Sequence, residues 1–349
     1  MADIITIDGS QGEGGGQILR TSLAFSAALG REIRVTKIRA GRPRPGLRAQ
    51  HMAAVEAAAA VCGAEVVGVR LGSQEITFRP GEVLAGRYRF DIGTAGSTVL
   101  VLQTIIPALM LADGDSDVTV TGGTHNPFSP CFEYLRDVFG LLGSAANLQA
   151  YFELVRAGFY PAGGGKVRMQ IRGVGSIANV APIRLLDRGD LKYVEGVSAA
   201  SRTLAGRVLD RQSTQVLGRL AAAGHSATAE QAVWDTDSPG TAVFLRTVFT
   251  RSVAGVSALG RRGLPAEEVA DHAVDALLAF LDAPGVLDPH AADQLLTLAG
   301  LCRQESRFST TRITDHLLTN AAVVRQLTGR QVIIDGRTGQ PGTIAVGEQ

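Results

Sequence analysis

Two stretches of this chain read alike, and the likeness limits the fold more than any single motif. In the first, alternating Ile5 and Ile7 mark a short strand that ends at Asp8 and a glycine turn, followed by an apolar helix over residues 18–29. In the second, residues 88–91 end at Asp91 and another glycine turn, followed by an apolar helix over 98–111. Asp8 and Asp91 lie 83 residues apart, and Gly41 and Gly122, in the next connection, lie 81 apart. Both copies continue as strand, helix, strand, strand: 34–38, 51–61, 64–71 and 75–79 in one, then 117–121, 131–142 and two strands around 156–166 in the other. A repeat of this order predicts an α/β (α+β) unit with two helices on one face of a small four-stranded sheet.

A third copy reads as interrupted. A strand over 177–185 is followed by the matching helix only at 291–302, then by a strand (306–313), a helix (316–327) and two strands (331–334, 342–346). Residues between have their own pattern, with strands at 193–199, 226–234, 240–247 and 252–260 and helices at 204–223 and 265–281. The expected organisation is a large repeat-built domain, 1–186 and 283–349, with a small α/β domain, 187–282, inserted in the third unit.

Composition narrows the classes. With 349 residues, 45% hydrophobic and 19% charged, the chain has the make-up of a globular protein with a sizeable core. Its net charge of +1 makes no global field for nucleic acid, so an anion site must be local. Cys62, Cys131 and Cys302 have no paired spacing, which argues against a disulfide framework or a zinc site and for buried thiols. The longest apolar run, 99–112, is too short for a membrane span and contains Gln103 and Pro107. No basic, apolar leader is expected at the start, and the expected location is the cytoplasm.

Three stretches carry chemistry. Gly9, Gly12, Gly14, Gly15 and Gly16 sit between the first strand and helix, where backbone N–H groups can approach an anion at a helix N-terminus. Neither the P-loop nor the dinucleotide fingerprint fits, so the loop is either a tight turn or a site of another kind; Glu13 inside it and Arg20 beyond favour a site. Between Arg31 and Arg48 stand seven basic residues and one acid, Glu32, in a loop shaped by Pro43 and Pro45. Such a run is either a solvated face or a fixed phosphate cradle. His51, His125 and His316 each lie at the start of a second helix or in the loop before it, so pseudo-symmetric packing would gather them at one cleft. His316, with Asp315 and Thr319 beside it, can be held as base, ligand or nucleophile.

Taken in order, GSQGEGGGQILRTSLA (9–24), IRAGRPRPGLRAQH (38–51), GTAGSTVLVLQT (93–104), GFYPAGGG (158–165), ADQLL (292–296) and HLLTN (316–320) resemble the RNA 3'-terminal phosphate cyclase family over the whole chain. The resemblance implies three units like the C-terminal domain of translation initiation factor 3 with a small domain in the last. It implies an ATP-dependent ligase-class enzyme acting on RNA with a 3'-terminal phosphate, through a covalent histidine–AMP and then an RNA(3')pp(5')A intermediate, to a 2',3'-cyclic phosphate. His316 matches the nucleophile. Glu13 matches a position near a divalent metal (Mg2+ or Mn2+), with Gln17 and Arg20 near phosphates. Arg39, Arg42, Gln50 and His51 match contacts to ATP or RNA phosphates. Asp293 and Gln294 match the nucleotide pocket, and Pro130 the surface under adenine. His290 stands where some members have a tyrosine that stacks on the base, which loosens the expected nucleobase preference. Two other readings stay open on the sequence: a cyclase-like RNA-binding protein without activity, which the DHLLTN stretch disfavours, and an enolpyruvyl transferase built from a similar unit. Oligomeric state is not readable.

Overall fold

The computed structural model describes residues 4–348. Its first unit consists of β1 (Ile5–Asp8), α1 (Gly16–Leu29), β2 (Ile33–Thr36), α2 (Ala49–Cys62), β3 (Glu65–Val67) and β4 (Ile76–Arg79), with sheet order β1-β2-β4-β3. The second repeats it with β5 (Arg87–Asp91), α3 (Thr98–Leu111), β6 (Asp115–Gly122), α4 (residues 132–143, with a wide π turn at Leu135–Phe139), β7 (Gln149–Arg156) and β8 (Gly165–Arg172), in the order β5-β6-β8-β7. In each, the first two strands pair parallel and the rest antiparallel. Strand β6 shows the expected alternation, with Ser116, Val118, Val120 and Gly122 turned inward.

The third unit starts at β9 (Arg184–Leu185) and is then left for the insert. The insert comprises β10 (Leu191–Ser201), α5 (Arg207–Ala222), β11 (Ala227–Trp234), β12 (Thr241–Phe249), β13 (Val253–Leu259) and α6 (Ala266–Asp282), with sheet order β11-β10-β12-β13. The unit is completed by α7 (Pro289–Leu301), β14 (Ser306–Thr310), α8 (Asp315–Thr328), β15 (Gln331–Gly336) and β16 (Gly342–Gly347), and its order, β9-β14-β16-β15, is that of the other two. Its first strand is far shorter than the sequence predicts. Residues 177–179 form a 3-10 turn, and pairing begins only past Pro182, which has no N–H for a ladder. There Ile183 takes a hydrogen bond from Arg307 N, 2.7 Å, and donates one to Ser306 Oγ, 3.0 Å.

The helices of the three units pack on one another. Helix α1 touches α2, α3 and α8, while α7 touches α3 and α8, and one continuous apolar core runs through all three units. Ten of the fourteen α1 residues are buried, as befits a helix apolar on nearly every face. The insert keeps its own core, in which Val216 and Leu220 of α5 meet Val269, Ala273 and Leu277 of α6 and Val194, Val243 and Leu245 of the sheet. The spacing of these helical residues is that of an amphipathic stripe, with Arg211 and Arg219 paired to Glu267 and Asp271 outside it. No helix among the described residues is long and apolar enough to cross a membrane.

Candidate active site

Four helices begin at one cleft of about 1160 Å³. It is lined by first-turn residues of α1 (Gly16, Gln17), α2 (Gln50, His51), α7 (Pro289, His290) and α8 (His316). The partial positive charge of each N-terminus therefore faces a shared space, which favours a polyanion there. All twelve residues singled out in the sequence (Glu13, Gln17, Arg20, Arg39, Arg42, Gln50, His51, Pro130, His290, Asp293, Gln294 and His316) line this cleft.

The glycine loop makes the convergence possible. A Cβ on Gly16 would lie 2.3 Å from His51 Nε2, and one on Gly12, at φ +55, would lie 2.1 Å from Thr319 Oγ1. Side chains at these points would push α2 and α8 off the loop. Glu13 N in turn donates to Thr319 Oγ1 at 3.4 Å.

The geometry around His316 assigns its tautomer. Asp293 Oδ1 accepts from the amide nitrogens of both Gln17 and Asn320. With its nitrogen so engaged, Gln17 must present Oε1 to His316, and Nδ1 of His316 donates to it. The proton on Nδ1 leaves Nε2 with its lone pair free. Burial holds the imidazole below its ordinary pKa against the pull of the Glu13 carboxylate, so it is neutral near pH 7. Glu13 Oε2 lies 2.8 Å from the same Nδ1 but accepts no hydrogen bond, because the proton is aligned on Gln17. Burial also pushes Asp293 up to about 7, although Gln17, Asn320 and Arg20 all favour its charged form. Thr21 Oγ1 completes the chain by donating to Asn320 Oδ1 at 2.6 Å.

Cations occupy the adjoining wall. Arg20 has no carboxylate partner among the described residues, and burial lowers it to about 10, still charged at neutral pH. Arg42 pairs with Glu13 Oε1. Arg39, at φ 54, braces the basic loop by donating to the carbonyls of Arg44 and Gly46, both at 2.8 Å. His51 is buried and accepts from Arg48 N through Nδ1 at 3.2 Å. Burial, with Arg20, Arg39 and Arg48 nearby, drives it down to about 3, so it is a neutral donor through Nε2. Gln50 Oε1 accepts from Ser97 N at 3.4 Å.

Pro130, His290 and Gln294 also line the cleft. Pro130 lies before α4, and His290 packs edge-on to Tyr134 with ring centroids 6.4 Å apart. The Tyr134 hydroxyl donates to Asp288 Oδ1 at 2.7 Å, and Asp288 caps α7 by accepting from His290 N and Ala291 N. Gln294 accepts from Gln103 at 2.8 Å.

Not every histidine joins. His51 and His316 reach the cleft; His125 does not. It is buried, bonded to Thr124 Oγ1 (2.8 Å) and Glu133 Oε2 (2.7 Å), and packed at a tilt against Trp234 of the insert, with ring centroids 4.6 Å apart. Its loop follows the edge of the second sheet towards the insert, so it serves the seam between them. Residues the sequence reading passed over include Thr21, Asn320, Tyr134 and Asp288. The first two sit four residues after Gln17 and His316, one helical turn on, and that spacing was their available signal.

Among the described residues no three His, Cys, Asp or Glu side chains cluster as ligands, so a protein cage is absent. The buried, unpartnered Glu13 Oε2 fits instead an ion shared with phosphate oxygens, the usual manner of Mg2+.

The sequence model of the RNA 3'-terminal phosphate cyclase family matches residues 11–334. The chain belongs to that family. The RNA 3'-terminal phosphate cyclase of Methylococcus capsulatus is 44% identical over 328 residues, covering 92% of this chain and 90% of its own length. That of Trichormus variabilis is 41% identical (93% and 94% covered), and that of Archaeoglobus fulgidus 39% identical (95% and 98%). The repeated-unit fold of the cyclase family agrees with the three equivalent sheets described above. The solved enolpyruvyl transferase NikO of Streptomyces tendae superposes with a TM-score of 0.40 at 10% identity and with 49% of its chain covered, a likeness that carries no weight here.

Proposed function

We propose that this chain uses ATP to convert an RNA 3'-terminal phosphate into a 2',3'-cyclic phosphate, with His316 as the nucleophile. The observation that carries the reading is the bare Nε2 of a neutral imidazole, fixed by Gln17 and Asp293 at the convergence of four helix N-termini.

In the first step Nε2 of His316 forms a bond to the α-phosphorus as the bond to the bridging oxygen breaks and pyrophosphate leaves. No proton has to depart from Nε2, because the tautomer already holds it on Nδ1, and Gln17 Oε1 accepts the positive character that develops there. An oxygen of the RNA 3'-phosphate then attacks the AMP phosphorus, and the neutral imidazole leaves. The 2'-OH finally attacks the activated 3'-phosphorus, closing the ring and releasing AMP. Such transfers need positioned charge more than covalent help. Arg20, Arg39 and Arg42 supply it, and His51 and Gln50 add neutral donors. Asp293 acts as a positioning residue through Gln17, while Pro130, His290 and Gln294 bound the space for the base.

A divalent ion held by Glu13 and the triphosphate would neutralise phosphate charge. The three cysteines are free and buried, as suits work on RNA in a reducing cytoplasm.

A single-stranded oligoribonucleotide with a 3'-phosphate, incubated with the chain, ATP and Mg2+, should become resistant to phosphatase, and a 3'-OH oligonucleotide should stay unchanged. Absence of an ATP-dependent, phosphatase-resistant product would refute the reading.

A further inference from the structure

The cleft is larger than the roughly 300–1,000 Å³ typical of one small ligand, and its second half has a different wall. That wall is the insert: Gly255, Ser257 and Arg261 at and beyond β13, and Phe280 of α6. Two kinds of group lining the cleft lack an explanation in nucleotide chemistry. Phe128 is fully exposed and held at φ 64, a backbone region that a bulky side chain rarely adopts. Four other phenylalanines, Phe25, Phe78, Phe132 and Phe308, are fully buried. Arg261 and Arg312 are exposed and have no carboxylate or carbonyl partner for their guanidinium groups among the described residues. Arg312 stands four residues before His316, and Arg261 reaches the cleft from the insert.

We propose that Phe128, Arg261 and Arg312 seat the 3'-terminal nucleotides of single-stranded RNA, the ring stacking on a base and the two guanidinium groups taking backbone phosphates. This rests on the cyclase reading, since the second substrate must bring its terminal phosphate to His316 from a direction the nucleotide leaves open. The insert side is that direction. Single-stranded RNA is held by aromatic faces and Arg planes, and an exposed ring between Pro127 and Ser129 that shares its cleft with two unpaired guanidinium groups has that chemistry. Strain and exposure at Phe128 both oppose stability, so neither is explained by folding. In this seat the insert serves as the RNA side of the active site.

Step-resolved assays on the full chain separate the seat from the nucleotide site. Self-adenylation with labelled ATP requires no RNA, and Phe128→Ala should keep its rate and ATP half-saturation within about twofold. Binding of a 3'-phosphorylated single strand, read by fluorescence anisotropy without ATP, should weaken about tenfold in Phe128→Ala and be restored in Phe128→Trp. With an oligonucleotide whose last two nucleotides lack bases, wild type and Phe128→Ala should bind alike. Arg261→Gln and Arg312→Gln should each reduce the slope of log affinity against log salt by about 0.7. Unchanged RNA binding in Phe128→Ala overturns the seat, as does a raised ATP requirement, which would make Phe128 a cover for adenine. Wild type that binds RNA but takes no label overturns the cyclase reading alone, because the binding arms still decide the seat.

Discussion

Gln17 stands 299 residues before His316, yet its side-chain oxygen takes the Nδ1 proton of that histidine. The contact ties the first helix of the first unit to the last helix of the third, and it decides which imidazole nitrogen keeps a free lone pair. Asp293 controls it from behind by engaging the other end of the Gln17 amide.

Removing that control should cost chemistry more than stability. Gln17→Leu is expected to slow self-adenylation about a hundredfold, the lower end of what a positioned acid–base partner contributes, with ATP half-saturation changed far less. Rapid-quench measurement of label incorporation checks this. A slow step untouched in Gln17→Leu would mean that the tautomer is set elsewhere.

Asp293 makes the fold pH-dependent. Its folded pKa, about 7, lies above the unfolded value of 3.8, so the folded state holds the proton more tightly. The stability this group contributes is therefore greatest below the unfolded pKa and declines as pH rises to about 7, above which the whole penalty stands. Asp293→Asn keeps an acceptor for Gln17 and Asn320 without a charge. It should raise Tm by roughly 2–5 °C at pH 8 and by almost nothing at pH 4.5. A gap that widens towards acid pH would contradict the assignment.

The glycine loop is a packing device whatever it binds. Gly16→Ala places a Cβ against His51 Nε2 and should destabilise the chain by about 1–3 kcal/mol. Thermal unfolding read together with ATP binding is the check, since both should fall. A neutral effect on both would show that α2 can move away freely.

Basic residues of one loop should behave unequally. Arg39 and Arg42 line the cleft and are fixed by hydrogen bonds or by Glu13, whereas Arg31 is exposed and outside it. Arg39→Ala and Arg42→Ala should each raise ATP half-saturation about tenfold or more, and Arg31→Ala should leave it unchanged. Equal effects in titrations of all three would argue for a diffuse basic surface instead.

Much of this was legible in the sequence because it is written locally. The spacing from Asp8 to Asp91 reports a repeated sheet, and the motifs around Gly12, Arg42 and His316 each sit on one turn or one helix start. What stayed hidden is tertiary. Nothing near Gln17 in sequence says that its amide faces His316, and nothing in the residues around Asp293 separates a nucleotide contact from a brace. His125 shares a position in the repeat with His51 and His316, yet the insert, present in one unit only, draws it into a seam with Trp234. The strand predicted at 177–185 failed on Pro182, whose missing N–H outweighed the apolar pattern around it.

The central claim is that Nε2 of His316 becomes the phosphorus-bound nitrogen. Its most direct test is mass spectrometry of the chain after incubation with ATP and Mg2+ and without RNA, followed by acid and alkaline treatment. A single AMP adduct on the peptide containing His316, lost in acid, kept in alkali and absent from His316→Ala, is the predicted result. No adduct, or one that persists in His316→Ala, would contradict it.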